Sequence, residues 1–135
     1  MERLKHVLII VGAIILGAFV NGFILRINGT IIPLPEGVDM KTPEGLQAAM
    51  KVLKPIHFLA PFLAHAIGTF VAAYLATRFS KTKAIRIPII IAALFFIGGL
   101  IDVLELHAPI WFSCTDLALA YFPTAFLAYK WAKRD

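Results

Sequence analysis

Cysteine is nearly absent: Cys114 is the only one in 135 residues. That excludes an internal disulfide, a Cys-x-x-Cys redox pair and a multi-cysteine metal site. Charge is scarce too, at 16% of residues, where soluble domains carry roughly 25%. With 60% hydrophobic residues and a mean hydropathy of +0.85, the chain has too little polar surface to cover a soluble globule. The thirteen basic residues give a net charge of +5 but cluster at the ends of apolar segments, not along one face. This pattern is a topology signal and speaks against nucleic-acid binding. The length allows one integral membrane domain over residues 1–135.

Residues 7–25 carry no charge, and Asn21 is their one strongly polar member. As a helix they cover roughly 28 Å, about one hydrocarbon core. Arg3 and Lys5 precede them like the start of a signal peptide, but the run is too long and no Ala-x-Ala site follows, so a retained span is expected. A second uncharged span fills 55–77, between Lys54 and Arg78. The next two runs are short. Only 15 residues separate Arg86 from Asp102, and only 13 lie between Asp116 and Lys130. Neither crosses a bilayer unless it takes in the neighbouring acids, so the spans are set at 87–106 and 113–131. Chain length alone thus draws carboxylates to membrane depth.

The resulting fold class is all-α, a four-helix transmembrane bundle. Nine of the thirteen basic residues then fall on the side of the termini, which predicts a multi-pass protein of the cell (inner) membrane with both termini cytoplasmic. The long outer loop, 26–54, begins with the proline-containing stretch TIIPLPEG. It continues with Thr42-Pro43-Glu44, a helix start with Thr42 as N-cap and Pro43 at N1. Leu46, Met50 and Leu53 recur at helical spacing, predicting a short interfacial helix or one packed on the bundle.

Small residues recur every fourth position in the second span (Ala60, Ala64, Gly68, Ala72, Ala76) and the fourth (Ala120, Thr124, Ala128, Ala132). Such ridges let helix backbones approach closely. Pro61 and Pro123 are expected to bend these spans.

The polar residues are unevenly distributed. Asn21, His57, His65, Asp102, Glu105 and Asp116 all fall in the outer half of their spans, His65 deepest at roughly 15 Å. The inner halves, residues 7–16, 66–77, 87–96 and 124–129, hold no Asp, Glu, His, Lys or Arg. A conduction path normally needs polar steps across the whole thickness, so a pocket open outward and closed inward is expected. Asp102 and Glu105 share a helix face with Gly98 and Gly99 one turn below, which predicts that they point into the bundle. Adjacent carboxylates repel, so one holds a proton, or a cation or protonated histidine lies close by. His57, at similar depth, is the expected partner. The bland alternative is a hydrogen-bond network that only ties helices together. For Asp116, the order Ser113-Cys-Thr-Asp116 fits a capping box with Ser113 as N-cap.

Several functions remain open at this level. The first is binding or uptake of a cation or small polar ligand by Asn21, His57, His65, Asp102, Glu105 and Asp116. The second is a small membrane enzyme on a lipid-soluble substrate, with Asp102, Glu105, His57 and His65 as general acid/base candidates. A divalent ion such as Zn²⁺ or Mn²⁺ would draw on His57, Asp102, Glu105 and His107; no HExxH or ExxH motif is present. Haem b, held by His57 or His65 with His107, is opposed by the small-residue ridges. The last is a structural or accessory subunit. The expected partners are the lipid bilayer and either a second copy or a larger membrane complex.

Overall fold

The computed structural model describes residues 1–134. The chain is all-helical: α1 (Glu2–Ile31), α2 (Pro43–Ala49), a 3₁₀ turn (Pro55–Phe58), α3 (Leu59–Phe79), α4 (Arg86–Leu106), α5 (Ile110–Leu119) and α6 (Phe122–Ala132). Four stretches are long and apolar enough to cross a membrane: Glu2–Ile31, Pro55–Phe79, Arg86–Leu106 and Ile110–Ala132. They contain the four expected spans. α1 overshoots, continuing past Arg26 to Ile31; at 30 residues it is about 45 Å long and projects beyond a hydrocarbon core.

The fourth span is two helices, not one bent helix. It breaks at Ala120–Tyr121, and Pro123 sits at the start of α6, where it has no N–H to give the preceding turn. Thr124 repairs the break: its Oγ1 lies 2.6 Å from the Ala120 carbonyl and 2.9 Å from that of Tyr121, and donates to either. Pro61 does less than expected. It falls in the first turn of α3, where an absent N–H costs no intrahelical bond.

α3 is the central helix, with α1, α4 and α6 packed around it. The small-residue ridge explains why. Ala64, Gly68, Ala72 and Ala76 are all buried, and Gly68 meets Gly17 of α1 so closely that a Cβ on Gly17 would stand 2.5 Å from the Gly68 carbonyl oxygen. On α6, Ala125, Ala128 and Ala132 are buried in the same way. The half of the bundle nearer the termini is closed by Ala72, Ala73 and Ala76 against Ile87, Ile91 and Ala128. At the end that carries the N-terminus Lys81 pairs with Glu2, and Ser80 Oγ reaches His6 Nδ1 at 3.4 Å. Among the described residues, α1 forms an extended interface with α3 alone.

α1 takes up the first residues of the expected loop, 26–31, and from Thr42 onward the loop folds as its sequence implies. Thr42 Oγ1 accepts the Gly45 N–H at 3.1 Å, with Pro43 at N1. α2 lies on the bundle, because Gln47 Nε2 donates to the Glu105 carbonyl at 2.7 Å, joining it to the end of α4. α4 stops there: His107 adopts the left-handed conformation (φ 53°) two residues before Pro109.

Candidate functional site

A cavity of about 350 Å³ lies in the half of the bundle beneath the long loop between α1 and α3, away from the termini. Its roof is the loop, through Met40, Leu46, Met50 and Leu53, so the apolar stripe of α2 and the turn after it faces a cavity. The walls come from Leu25, Phe58, Val103, Leu106 and Phe112. At the floor stand three ionisable side chains, His65, Asp102 and Asp116.

The histidine at the floor is His65. Its Nδ1 donates to Asp116 at 2.9 Å from both carboxylate oxygens. Tyr121 Oη donates to Asp116 Oδ2 at 3.0 Å. Asp116 is 1% exposed, and a carboxylate so buried persists only with partners of this kind. With Nδ1 committed, His65 Nε2 turns to Asp102 Oδ2 at 4.0 Å, too long for a hydrogen bond. The Tyr121 ring stacks on His65 at 5.7 Å between centroids and meets Phe96 edge-on. Tyr121 fits because residue 99 is glycine: a Cβ there would lie 1.9 Å from the phenol oxygen.

Several expectations are corrected by this geometry. His57 is not the partner of the span-four or span-three acids. Pro55 opens a 3₁₀ turn ahead of α3, which changes the helical register and turns His57 toward the loop. There its Nδ1 accepts the Lys54 N–H at 3.0 Å and its Nε2 donates to the Pro33 carbonyl at 3.1 Å. With both nitrogens used, His57 pins the loop. Asp116 is no helix cap: α5 starts three residues before Ser113, with Pro109 at the N-cap, so Asp116 lies in the second turn and faces α3. Ser113 Oγ is buried without a partner.

Asp102 and Glu105 do not point together into the packed interior. Glu105 is exposed, and its backbone carbonyl, not its carboxylate, is engaged. The Asp102 side chain is 54% exposed and borders a second cavity of about 250 Å³ between α1 and α4. Of the two glycines, only Gly99 is a close approach; a Cβ on Gly98 would meet nothing within 4 Å. His107 is exposed and its Nδ1 donates to the Glu105 carbonyl at 3.1 Å. The set His57, Asp102, Glu105 and His107 is therefore not assembled. Among the described residues no three His, Cys, Asp or Glu side chains are placed to hold a metal ion.

Asn21 does reach the site. It lines the second cavity with a buried Oδ1 that has no hydrogen-bond partner. Two further residues were not anticipated. Asn28, one heptad on from Asn21, lines the main cavity with its Oδ1 equally buried and unpaired. Tyr121 carried a signal, since a tyrosine in mid-span needs a partner for its hydroxyl.

Compared with known proteins, the chain matches no family model, no curated protein and no solved structure. The site alone carries the functional reading.

Proposed function

We propose that this multi-pass membrane protein binds a small amphiphilic molecule in the outer half of the bilayer, with both termini of the chain in the cytoplasm of an inner-membrane host. The observation that carries the reading is one cavity, lined mostly by apolar side chains with Asn28 and His57 among them, whose floor is the His65–Asp116–Asp102 cluster. Its volume of about 350 Å³ falls in the range of small-molecule sites, which combine apolar walls with a few convergent polar groups. A bare cation fits these walls poorly. A molecule with an apolar body and one cationic or hydrogen-donating group fits them well, because two carboxylates face a single imidazole and Asp102 has no hydrogen-bond partner of its own on this floor.

The test is to extract the protein into nanodiscs directly from its membrane and identify the retained organic molecules by mass spectrometry. An amphiphilic amine or polyol should be enriched in the wild type and lost in Val103→Trp, which fills the cavity, and in Asp102→Asn. If all three retain only bulk lipid in equal proportion, the reading fails.

The hydrogen bonding of His65 favours a second reading, catalysis. Asp116 fixes Nδ1 as the protonated nitrogen and leaves Nε2 on the cavity side, the arrangement of a carboxylate-oriented general base. In this reading His65 is the base, Asp116 and Tyr121 position it, and Asp102 exchanges a proton with the substrate. Turnover of the molecule identified above, abolished in His65→Gln with binding retained, separates an enzyme from a binding protein.

A further inference from the structure

Two cavities meet at the polar floor. The second lies between Asn21 on α1 and Gly98 and Asp102 on α4, and it shares His65, Gly99 and Asp102 with the first. The residues at its edge, Ala18, Leu94 and Gly98, are exposed on the lipid-facing side. α1 packs on α3 and makes no extended contact with α4, so the gap is a feature of the helix arrangement and not of one missing side chain.

The other approaches to the floor are covered. The loop lies over the outer end, held by the Gln47–Glu105 and His57–Pro33 hydrogen bonds. Below, the alanine-rich inner half is packed. The gap also contains the two polar groups that its own helices leave unsatisfied: the buried Asn21 Oδ1 has no partner, and the Asp102 carboxylate is half exposed. Unpaired polar groups at membrane depth are costly and mark binding sites or pathways.

We infer that the gap between α1 and α4 is the entrance by which a ligand passes sideways from the outer leaflet into the cavity, with Asn21 and Asp102 receiving its cationic or hydrogen-donating headgroup. This rests on the binding reading above and adds a route and a headgroup chemistry to it. A molecule with a hydrocarbon body concentrates in the bilayer, more so with each methylene. A lateral door lets it travel without crossing water. Its headgroup meets the open Asp102 carboxylate on one side and the Asn21 amide on the other, whose buried Oδ1 becomes an acceptor once that side chain turns. A hydrogen-bonding ammonium satisfies both oxygens; a carboxylate finds only the Asn21 amide N–H and is repelled by Asp102.

Gly98 provides the test. A Cβ there meets no atom within 4 Å, so the backbone at residue 98 accepts a side chain, and Gly98→Phe places a ring at the mouth of the gap. Gly22→Phe, at an equally open position on α1, is the control. The reporter is Phe112→Trp, which lines the main cavity, with Trp111→Phe and Trp131→Phe to remove other emission. The full chain is placed in phosphatidylcholine vesicles and mixed rapidly with 12-bromododecylamine or 12-bromododecanoate, whose bromine quenches tryptophan.

The amine should quench saturably and the carboxylate only in proportion to bulk partitioning. Gly98→Phe should slow the amine phase tenfold or more, and Gly22→Phe should leave it unchanged. Asn21→Leu, which keeps the Cβ that meets Gly68 and removes the amide, should weaken amine saturation several-fold. An unchanged rate in Gly98→Phe overturns the entrance and leaves the binding reading standing. Equal saturation by the two probes, or none lost in Asn21→Leu, overturns the headgroup assignment. No saturable quenching in any variant overturns the binding reading and the entrance with it.

Discussion

His65 and Asp116 form a pair in which one imidazole nitrogen sits 2.9 Å from both oxygens of a carboxylate that is itself 1% exposed. They lie 51 residues apart, on α3 and α5. The pair joins two helices at the site floor and sets which nitrogen of His65 faces the cavity.

Breaking this pair from one side should be expensive. Asp116→Ala leaves His65 and the Tyr121 hydroxyl without their acceptor, and a loss of about 3–5 kcal/mol is expected in reversible unfolding from mixed micelles. His65→Phe combined with Asp116→Leu and Tyr121→Phe should recover most of it, since the Tyr121 hydroxyl, which donates to Asp116, is then removed along with the pair and no buried polar group is stranded. Asp102→Asn should stay within about 0.5 kcal/mol of wild type, because its half-exposed carboxylate makes only a 4.0 Å ion pair. A large loss in Asp102→Asn would make that residue a structural tie.

The α1–α3 contact yields a comparison within one helix. Gly17→Leu forces a side chain into the Gly68 carbonyl and Ala72, and should destabilise by about 1–3 kcal/mol. Gly12→Leu and Gly22→Leu enter open space and should change stability by no more than about 0.5 kcal/mol. The same unfolding assay reads all three. Equal losses at the three positions would mean that α1 does not dock through Gly17.

Gly99 and Tyr121 should be energetically coupled. Gly99→Ala pushes against the phenol oxygen and so against its bond to Asp116. Tyr121→Phe removes that oxygen, so Gly99→Ala should cost less in the Tyr121→Phe background. A double-mutant cycle is expected to give a coupling of about 0.5–3 kcal/mol. Additive effects would refute the contact.

Topology is checked by thiol accessibility. In a Cys114→Ser background, a membrane-impermeant maleimide should label Gly37→Cys, in the outer loop, in intact cells. Thr82→Cys, between α3 and α4, should react only after the membrane is opened. The reverse pattern would invert the orientation.

Much of the fold was legible because a membrane imposes a length on every span. The shortage of uncharged residues before Asp102 and after Asp116 sufficed to extend two helices over their acids, and both helices extend so. The pairing at the site was less legible, because it depends on how each helix is rotated about its axis. Pro55 illustrates the difficulty: by opening a 3₁₀ turn it swings His57 out of the expected row, while His65, seated in regular α-helix below it, keeps its place. Ser113 shows a second limit. Its capping signature is sound locally, but the chain turns into helix at Pro109, and Asp116 becomes a buried acceptor instead of a cap. The lateral gap left no trace in the sequence, since it follows from what α1 fails to touch.

The interruption at Ala120–Tyr121 divides one membrane crossing into two short rods that answer to different demands. The outer rod is oriented by what Asp116 must reach; the inner rod is oriented by the alanines that seat it against α3. A continuous helix would tie those two azimuths together at a fixed 100° per residue. Because Thr124 stitches the joint with a side chain, the storey around Asp116 is free to be recut while its foundations stay as they are.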